Sequence, residues 1–144
     1  MQDKPHIAII NGPNLNLLGI RQPEIYGYET FDDYFQSLTK AFPLVRFTHF
    51  QSNSEGELIN ALHRLGFEAF GIVLNAGGYT HTSVAIADAV AAVTAPVVEV
   101  HISNVFSREP FRRKSLIAPY CKGLVSGFGM RSYELAVRAL LPKD

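Results

Sequence analysis

Short apolar runs alternate along the chain with stretches whose apolar positions recur every three or four residues. The first run, 6–11, is almost continuously apolar and stops at Gly12-Pro13, as a strand covered on both faces does. A polar, glycine-containing loop follows over 12–29. Thr30 then fits the N-cap of a helix through Ala41, with Phe31, Tyr34, Phe35 and Leu38 on one face. Alternation over 44–50 predicts a second strand. Ser54 with Glu57 three residues later makes a capping-box pattern, and Gly66 ends the helix that it opens. The same order recurs: a buried strand over 70–74 closed by Asn75-Ala76-Gly77-Gly78, an alanine-rich helix over 83–93, and a strand over 97–102. A fifth strand at 123–126 and a helix over 131–141, with Leu135, Leu140 and Leu141 available for packing, complete the chain.

Strands separated mostly by helices imply a parallel sheet with right-handed crossovers. The expected class is α/β: a flavodoxin-like, doubly wound, five-stranded parallel sheet in three layers, with 1–144 as one domain. Ligands of such sheets bind at the carboxyl ends of the strands, near the switch in strand order. Chemistry is therefore expected after Asn11, Asn75 and His101. The long first loop has the size of an active-site lid, placed at about 19–28.

Composition narrows the class further. Thirteen Lys+Arg balance thirteen Asp+Glu, against the basic excess usual for a nucleic-acid binder, so no nucleic-acid partner is expected. No apolar run approaches the roughly 20 residues of a membrane span. The opening Met-Gln-Asp-Lys-Pro-His has no basic-then-apolar order, so a cytoplasmic protein with no membrane partner is expected. Apolar residues form 47% and charged residues only 18% of the chain, which suits a homo-oligomer or a somewhat hydrophobic monomer. Cys121 stands alone, no histidine pair has HExxH spacing, and no metal site is expected. After the first strand stands Asn11-Gly12-Pro13-Asn14, neither GxGxxG nor GxxxxGK[ST], so nucleotide readings lack a phosphate cradle. Asparagines replace the acidic residues of a phospho-acceptor site, and there is no GxSxG elbow.

What remains suits proton transfer on a small hydroxylated anion. Asn14, Arg21 and Tyr26 share the long loop. A tyrosine works as a base near neutrality only if its pKa falls about three units, roughly 4 kcal/mol. One arginine about 4 Å away supplies about that much at an effective dielectric of 20. A surface aromatic beside a solvated charge is the competing reading. Strand alternation puts Glu99, His101 and Ser103 on one face, where Glu99 can orient the imidazole, and a structurally satisfied histidine is the alternative. Asn75 through Ser83 leads from strand to helix, with glycines that admit close backbone approach. His81 and Asp88, seven apart, are expected on one helical face, with Asp88 a lone charge among alanines or simply an exposed carboxylate. Arg108 and Arg112, four apart, can face one site if helical, or belong to a basic surface patch with Arg113 and Lys114.

Taken together these segments resemble the type II 3-dehydroquinate dehydratases. The resemblance rests on Gly12-Pro13-Asn14-Leu15-Asn16-Leu17-Leu18-Gly19 with Arg21, Pro23, Tyr26 and Gly27, and on Gln51-Ser52-Asn53 with Glu55-Gly56. It continues through Asn75–Ser83 with Asp88, and through Glu99-Val100-His101-Ile102-Ser103-Asn104 with Arg108, Glu109, Phe111 and Arg112. Gln22, Ala76 and Gly78 depart from the family's commonest residues without removing a functional group. The resemblance implies an anti elimination of water from 3-dehydroquinate to 3-dehydroshikimate through an enolate, a step of the shikimate pathway. It implies Tyr26 as proton acceptor, His101 as proton donor oriented by Glu99, Arg21 as stabiliser of phenolate and enolate, and Asn14 on the enolate. Asn75 and the N–H groups of Ile102 and Ser103 would hold the substrate carboxylate. His81, Asp88 and Arg112 would bind ring hydroxyls, and Arg108 would support the lid. No metal, nucleotide, Schiff base or other cofactor is implied, and the expected assembly is a homododecamer, a tetramer of trimers. The competing class is an inactive flavodoxin-like module that binds a small acid.

Overall fold

A computed structural model describes residues 3–143, with the backbone alone for Ile25 and Tyr26. Five strands, β1 (His6–Asn11), β2 (Arg46–Gln51), β3 (Gly71–Asn75), β4 (Val97–His101) and β5 (Gly123–Ser126), form one parallel sheet in the order β2-β1-β3-β4-β5. Helix α1 (Pro23–Tyr26) is a single turn, and α2 (Phe31–Ala41), α3 (Glu55–Leu65), α4 (Val84–Ala92) and α5 (Arg131–Leu140) cover the faces. This is the flavodoxin-like α/β/α arrangement expected.

The two faces of the sheet are written into alternating residues. Ala8, Ile10, Ile72, Leu74 and Val97 pack under α3 and α4, whereas Ile7, Ile9, Val73, Val98 and Val100 pack under α2 and α5. Each of the Val, Ile and Leu side chains withdrawn from water contributes about 1.5–3 kcal/mol, so both faces resist a one-residue slip. The register brings Asn11 opposite Gln51 on one side and Asn75 on the other. Three amide side chains thus line up across the carboxyl edge where the strand order reverses.

Thr30 caps α2 as expected, with Asp33 completing a reciprocal box. The second capping box is only half made. Ser54 accepts from the Glu57 N–H, but the Glu57 carboxylate accepts the Ser52 hydroxyl instead, and Ser52 in turn serves the Ser54 N–H. Strand β2 starts later than the 44–50 pattern predicts, because Phe42 and Val45 close a turn and leave Leu44 exposed. Strand β3 starts at Gly71, past an exposed Phe70. In α5 the buried face is Ser132, Tyr133, Ala136, Val137 and Leu140, with Leu135 only half-buried. The expectation for His81 and Asp88 is corrected as well. His81 ends a short 3-10 turn (Gly77–His81), Thr82 leaves helical geometry, and Asp88 belongs to α4, so no common helix face relates them.

Candidate active site

The strands β1, β3 and β4 deliver one pocket at their carboxyl ends. It is lined by Asn14, Leu15, Leu17, Leu18, Arg21, Asn75, Gly77, Gly78, His81, His101, Ile102, Ser103, Val105, Arg108 and Arg112. Nine residues singled out from the sequence therefore meet here: Asn14, Arg21, Asn75, His81, His101, Ile102, Ser103, Arg108 and Arg112. Glu99 lies directly beneath His101. The side chain of Tyr26 is outside the described residues. Asp88 is exposed on α4 and does not line this pocket.

Glu99 and His101 are residues of β4 two apart, so the pleat aims both the same way. Glu99 is 1% exposed and His101 6%. A buried carboxylate is tolerable only when its oxygens are satisfied, and here both are. Oε2 accepts from His101 Nε2 at 2.5 Å, and Oε1 accepts the Ser115 hydroxyl at 2.8 Å. The second ring nitrogen of His101 is left for other partners. His81 stacks on it, ring centroids 6.1 Å apart, with its own Nδ1 donating to the Lys114 carbonyl at 2.8 Å. The Cys121 thiol is pushed up to about 12, by burial first and then by the Glu99 charge, which keeps it protonated and inert.

The floor is a chain of neutral polar groups. Asn75 Nδ2 donates to the Tyr133 hydroxyl at 3.0 Å, and that hydroxyl donates to Asn11 Oδ1 at 2.7 Å. Asn11 Nδ2 in turn meets His49 Nε2 at 3.2 Å. An amide N–H needs an acceptor there, so His49 is neutral; burial, opposed by Asp32, lowers its pKa in agreement. Burial pushes the Tyr133 phenol far up, so it stays a donor. Asn75 Oδ1 accepts the Gly77 N–H at 3.1 Å, and its amide orientation is thereby fixed from both ends.

The loop after β1 crosses the end of β3 at close range. A Cβ on Gly12 would sit 2.6 Å from the Ala76 carbonyl oxygen, so only glycine passes there. Asn14 follows with φ 71°, a left-handed conformation that asparagine tolerates. Its N–H donates to Asn53 Oδ1 at 3.0 Å, and Gln51 Nε2 donates to the Gly12 carbonyl at 3.1 Å. The far wall is basic. Arg108 Nη1 donates to Ser103 Oγ at 3.3 Å, and Arg112 pairs with Glu109 at 2.5 Å, which holds Glu109 below the usual carboxylate range. Arg108 and Arg112 face the pocket from either side of the start of a 3-10 turn (Pro110–Arg113), so no α-helix was needed to bring them together. With Arg21, these side chains make a field suited to an anion.

Lysine is absent from this lining, and Lys114 meets the site through its backbone carbonyl while its side chain is exposed. The sequence reading passed over Tyr133, Ser115 and His49. Tyr133 carried a signal: it shares the spacing of Ala136, Val137 and Leu140 on the buried face of α5. Ser115 lies in irregular backbone, where no periodicity reports its partner.

Residues 5–141 match the family model described as dehydroquinase class II. A 3-dehydroquinate dehydratase of Pelodictyon phaeoclathratiforme is 52% identical over 139 residues, covering 94% of this chain and 91% of the relative. One from Bacillus subtilis is 49% identical over 142 residues, covering 97% and 96%. Among solved structures, the type II dehydroquinase from Butyrivibrio crossotus superposes with a TM-score of 0.88 at 42% identity, over 94% of this chain and 97% of that one. The type II dehydroquinase from Propionibacterium acnes gives 0.90 at 35% identity, over 97% and 98%.

Proposed function

The chain belongs to the class II dehydroquinases, and from that membership we propose that its pocket eliminates water from 3-dehydroquinate to give 3-dehydroshikimate, with its site residues in the following roles. The substrate carboxylate docks on Asn75 Nδ2 and the N–H groups of Ile102 and Ser103, within the field of the arginines. His81 and Arg112 take ring hydroxyls. Tyr26, as phenolate beside Arg21, removes the C2 proton, and the C–H electron pair becomes an enolate on the C3 carbonyl, held by Asn14 through a water. The enolate then reforms the carbonyl while C1=C2 forms and the C1–O bond breaks. His101, protonated on its second ring nitrogen, hands that proton to the departing hydroxyl, so water leaves. Glu99 stabilises the imidazolium and returns the ring to its starting orientation. Every step uses side chains of the chain itself and requires no cofactor. Residues 19–28, with Arg108 supporting them, act as the lid over this chemistry.

The observation that carries the reading is the buried Glu99–His101 pair, both carboxylate oxygens satisfied, facing a cationic pocket at the switch in strand order. Adding 3-dehydroquinate to the protein is expected to raise ultraviolet absorbance at the band of the enone product; a flat trace overturns the reading.

The assembly we propose is the homododecamer of trimers, in the cytoplasm, with Asp88 reaching the site of a neighbouring chain. On α4 the exposed residues are Val84, Ala85, Asp88, Ala91 and Ala92, an apolar stripe at helical spacing with a single charge at its centre. Such a stripe gains by being covered. Sedimentation that finds a fully active monomer refutes this role for Asp88.

A further inference from the structure

We propose that Ser115 is a positioning residue for His101, and that residues 114–116 form a strap that orients both histidines of the pocket from behind. This rests on the roles proposed above for His81 and His101. Three consecutive residues reach three parts of the site. The Lys114 carbonyl accepts His81 Nδ1–H at 2.8 Å, the Ser115 hydroxyl donates to Glu99 Oε1 at 2.8 Å, and the Leu116 N–H donates to the Thr80 carbonyl at 2.9 Å. The strap therefore ties the turn that carries His81 to the strand that carries His101.

Its chemical effect follows from donor and acceptor counting. A carbonyl only accepts, so Lys114 fixes the proton of neutral His81 on Nδ1 and turns Nε2 towards substrate as an acceptor. Ser115 occupies one Glu99 oxygen, which leaves Oε2 as the partner for His101 Nε2 and prevents the carboxylate from rotating away. Ser115 is itself held, because its oxygen accepts the Ala118 N–H at 3.0 Å. The hydroxyl thus uses its one donor on Glu99 and accepts from Ala118, which together fix its orientation. Without it, Glu99 would keep one buried oxygen unpaired and would be free to leave the imidazole.

The test is steady-state turnover of 3-dehydroquinate by Ser115→Ala and Ser115→Thr. The alanine variant is expected to lose about tenfold in kcat with KM within about twofold, since it disturbs a group acting in the transition state rather than in binding. The threonine variant keeps the hydroxyl and is expected to recover most of that loss. In a Glu99→Gln background, Ser115→Ala is expected to cost little more, because both changes act through one carboxylate. Unchanged kcat in the alanine variant, full additivity in the double variant, or a threonine variant as slow as alanine would each overturn the proposal. Imidazole nitrogen shifts of the unaltered protein test the strap even if a variant fails to fold: His81 is expected protonated at Nδ1 and His101 at Nε2, and the opposite tautomer at either overturns it. If the unaltered protein does not consume 3-dehydroquinate, the proposed function falls, while the nitrogen shifts still decide the strap.

Discussion

The two ends of the pocket are built on different principles. At the β4 end, functional groups are held by partners distant in sequence: the buried Glu99 by Ser115, the half-buried His81 by Lys114, and the buried Asn75 by Tyr133. At the other end, the backbone hydrogen bonds described for residues 19–28 run to near neighbours, from Ile20 and Arg21 to Leu17 and from Gly27 to Pro23. Arg21 is exposed, and the backbone enters left-handed geometry at Gly19, Gln22 and Gly27. One end has its geometry set by folding. The other is the proposed lid, and a loop that settles around the substrate would let substrate enter before water is excluded. The proposed proton donor, set by folding, would require no rearrangement at the moment of reaction, which is where preorganisation contributes most.

The sharpest way to break this contrast is to delete the proposed acid and the proposed base separately. His101→Ala and Tyr26→Phe are each expected to lower turnover by about 10²–10⁴. Only the first should also cost stability, because it leaves the buried Glu99 without its imidazole. Equal losses in thermal denaturation would erase the distinction between the two ends. Arg21→Ala is expected to reduce kcat by about 10²-fold with a smaller change in KM, since the interaction grows with transition-state charge. A raised KM at unchanged kcat would make Arg21 an ordinary binding residue.

Tyr133→Phe tests the floor. Removing one oxygen orphans Asn75 Nδ2 and Asn11 Oδ1, at a cost of about 1–3 kcal/mol, or a few degrees in Tm. KM should rise while kcat changes little, as the amide proposed for the carboxylate loses its anchor. A variant with unaltered KM would reduce Tyr133 to a core residue. The same floor predicts an acid sensitivity. His49 has its pKa lowered by burial, with Asp32 opposing, so the unfolded chain binds more protons than the folded one below about pH 6.5. Stability present at neutral pH is therefore lost as pH falls through that value. His49→Gln keeps an acceptor for Asn11 and should flatten the fall in Tm between about pH 7.5 and 5.5; an unchanged slope would assign it elsewhere, His6 being the other histidine whose pKa burial lowers.

The smallest effect is expected at Lys114, whose side chain is exposed and has no part in the proposed chemistry. Lys114→Ala should retain most of its turnover, and borohydride added with substrate should attach no mass. A substrate-dependent adduct on any of Lys4, Lys40, Lys114, Lys122 or Lys143 would replace the tyrosine base with an imine mechanism.

What the sequence alone determined is whatever depends on local period and on residue type. Alternation between continuous apolar runs and amphipathic stretches was enough for the parallel sheet, because strands buried on both faces admit few polar residues. Glu99 and His101 were legible as a pair because the pleat repeats every two residues and a buried carboxylate needs a partner. Tertiary structure decided what is not periodic. It parted His81 from Asp88 by ending one turn before the next helix began, and sent the Glu57 carboxylate to Ser52 rather than back to its cap. It also brought Tyr133 across 58 residues to Asn75, and Ser115 across 16 to Glu99. Those partners are chosen by which buried polar atom remains unpaired once the sheet has closed. That choice is made in three dimensions, and no local pattern of residues carries it.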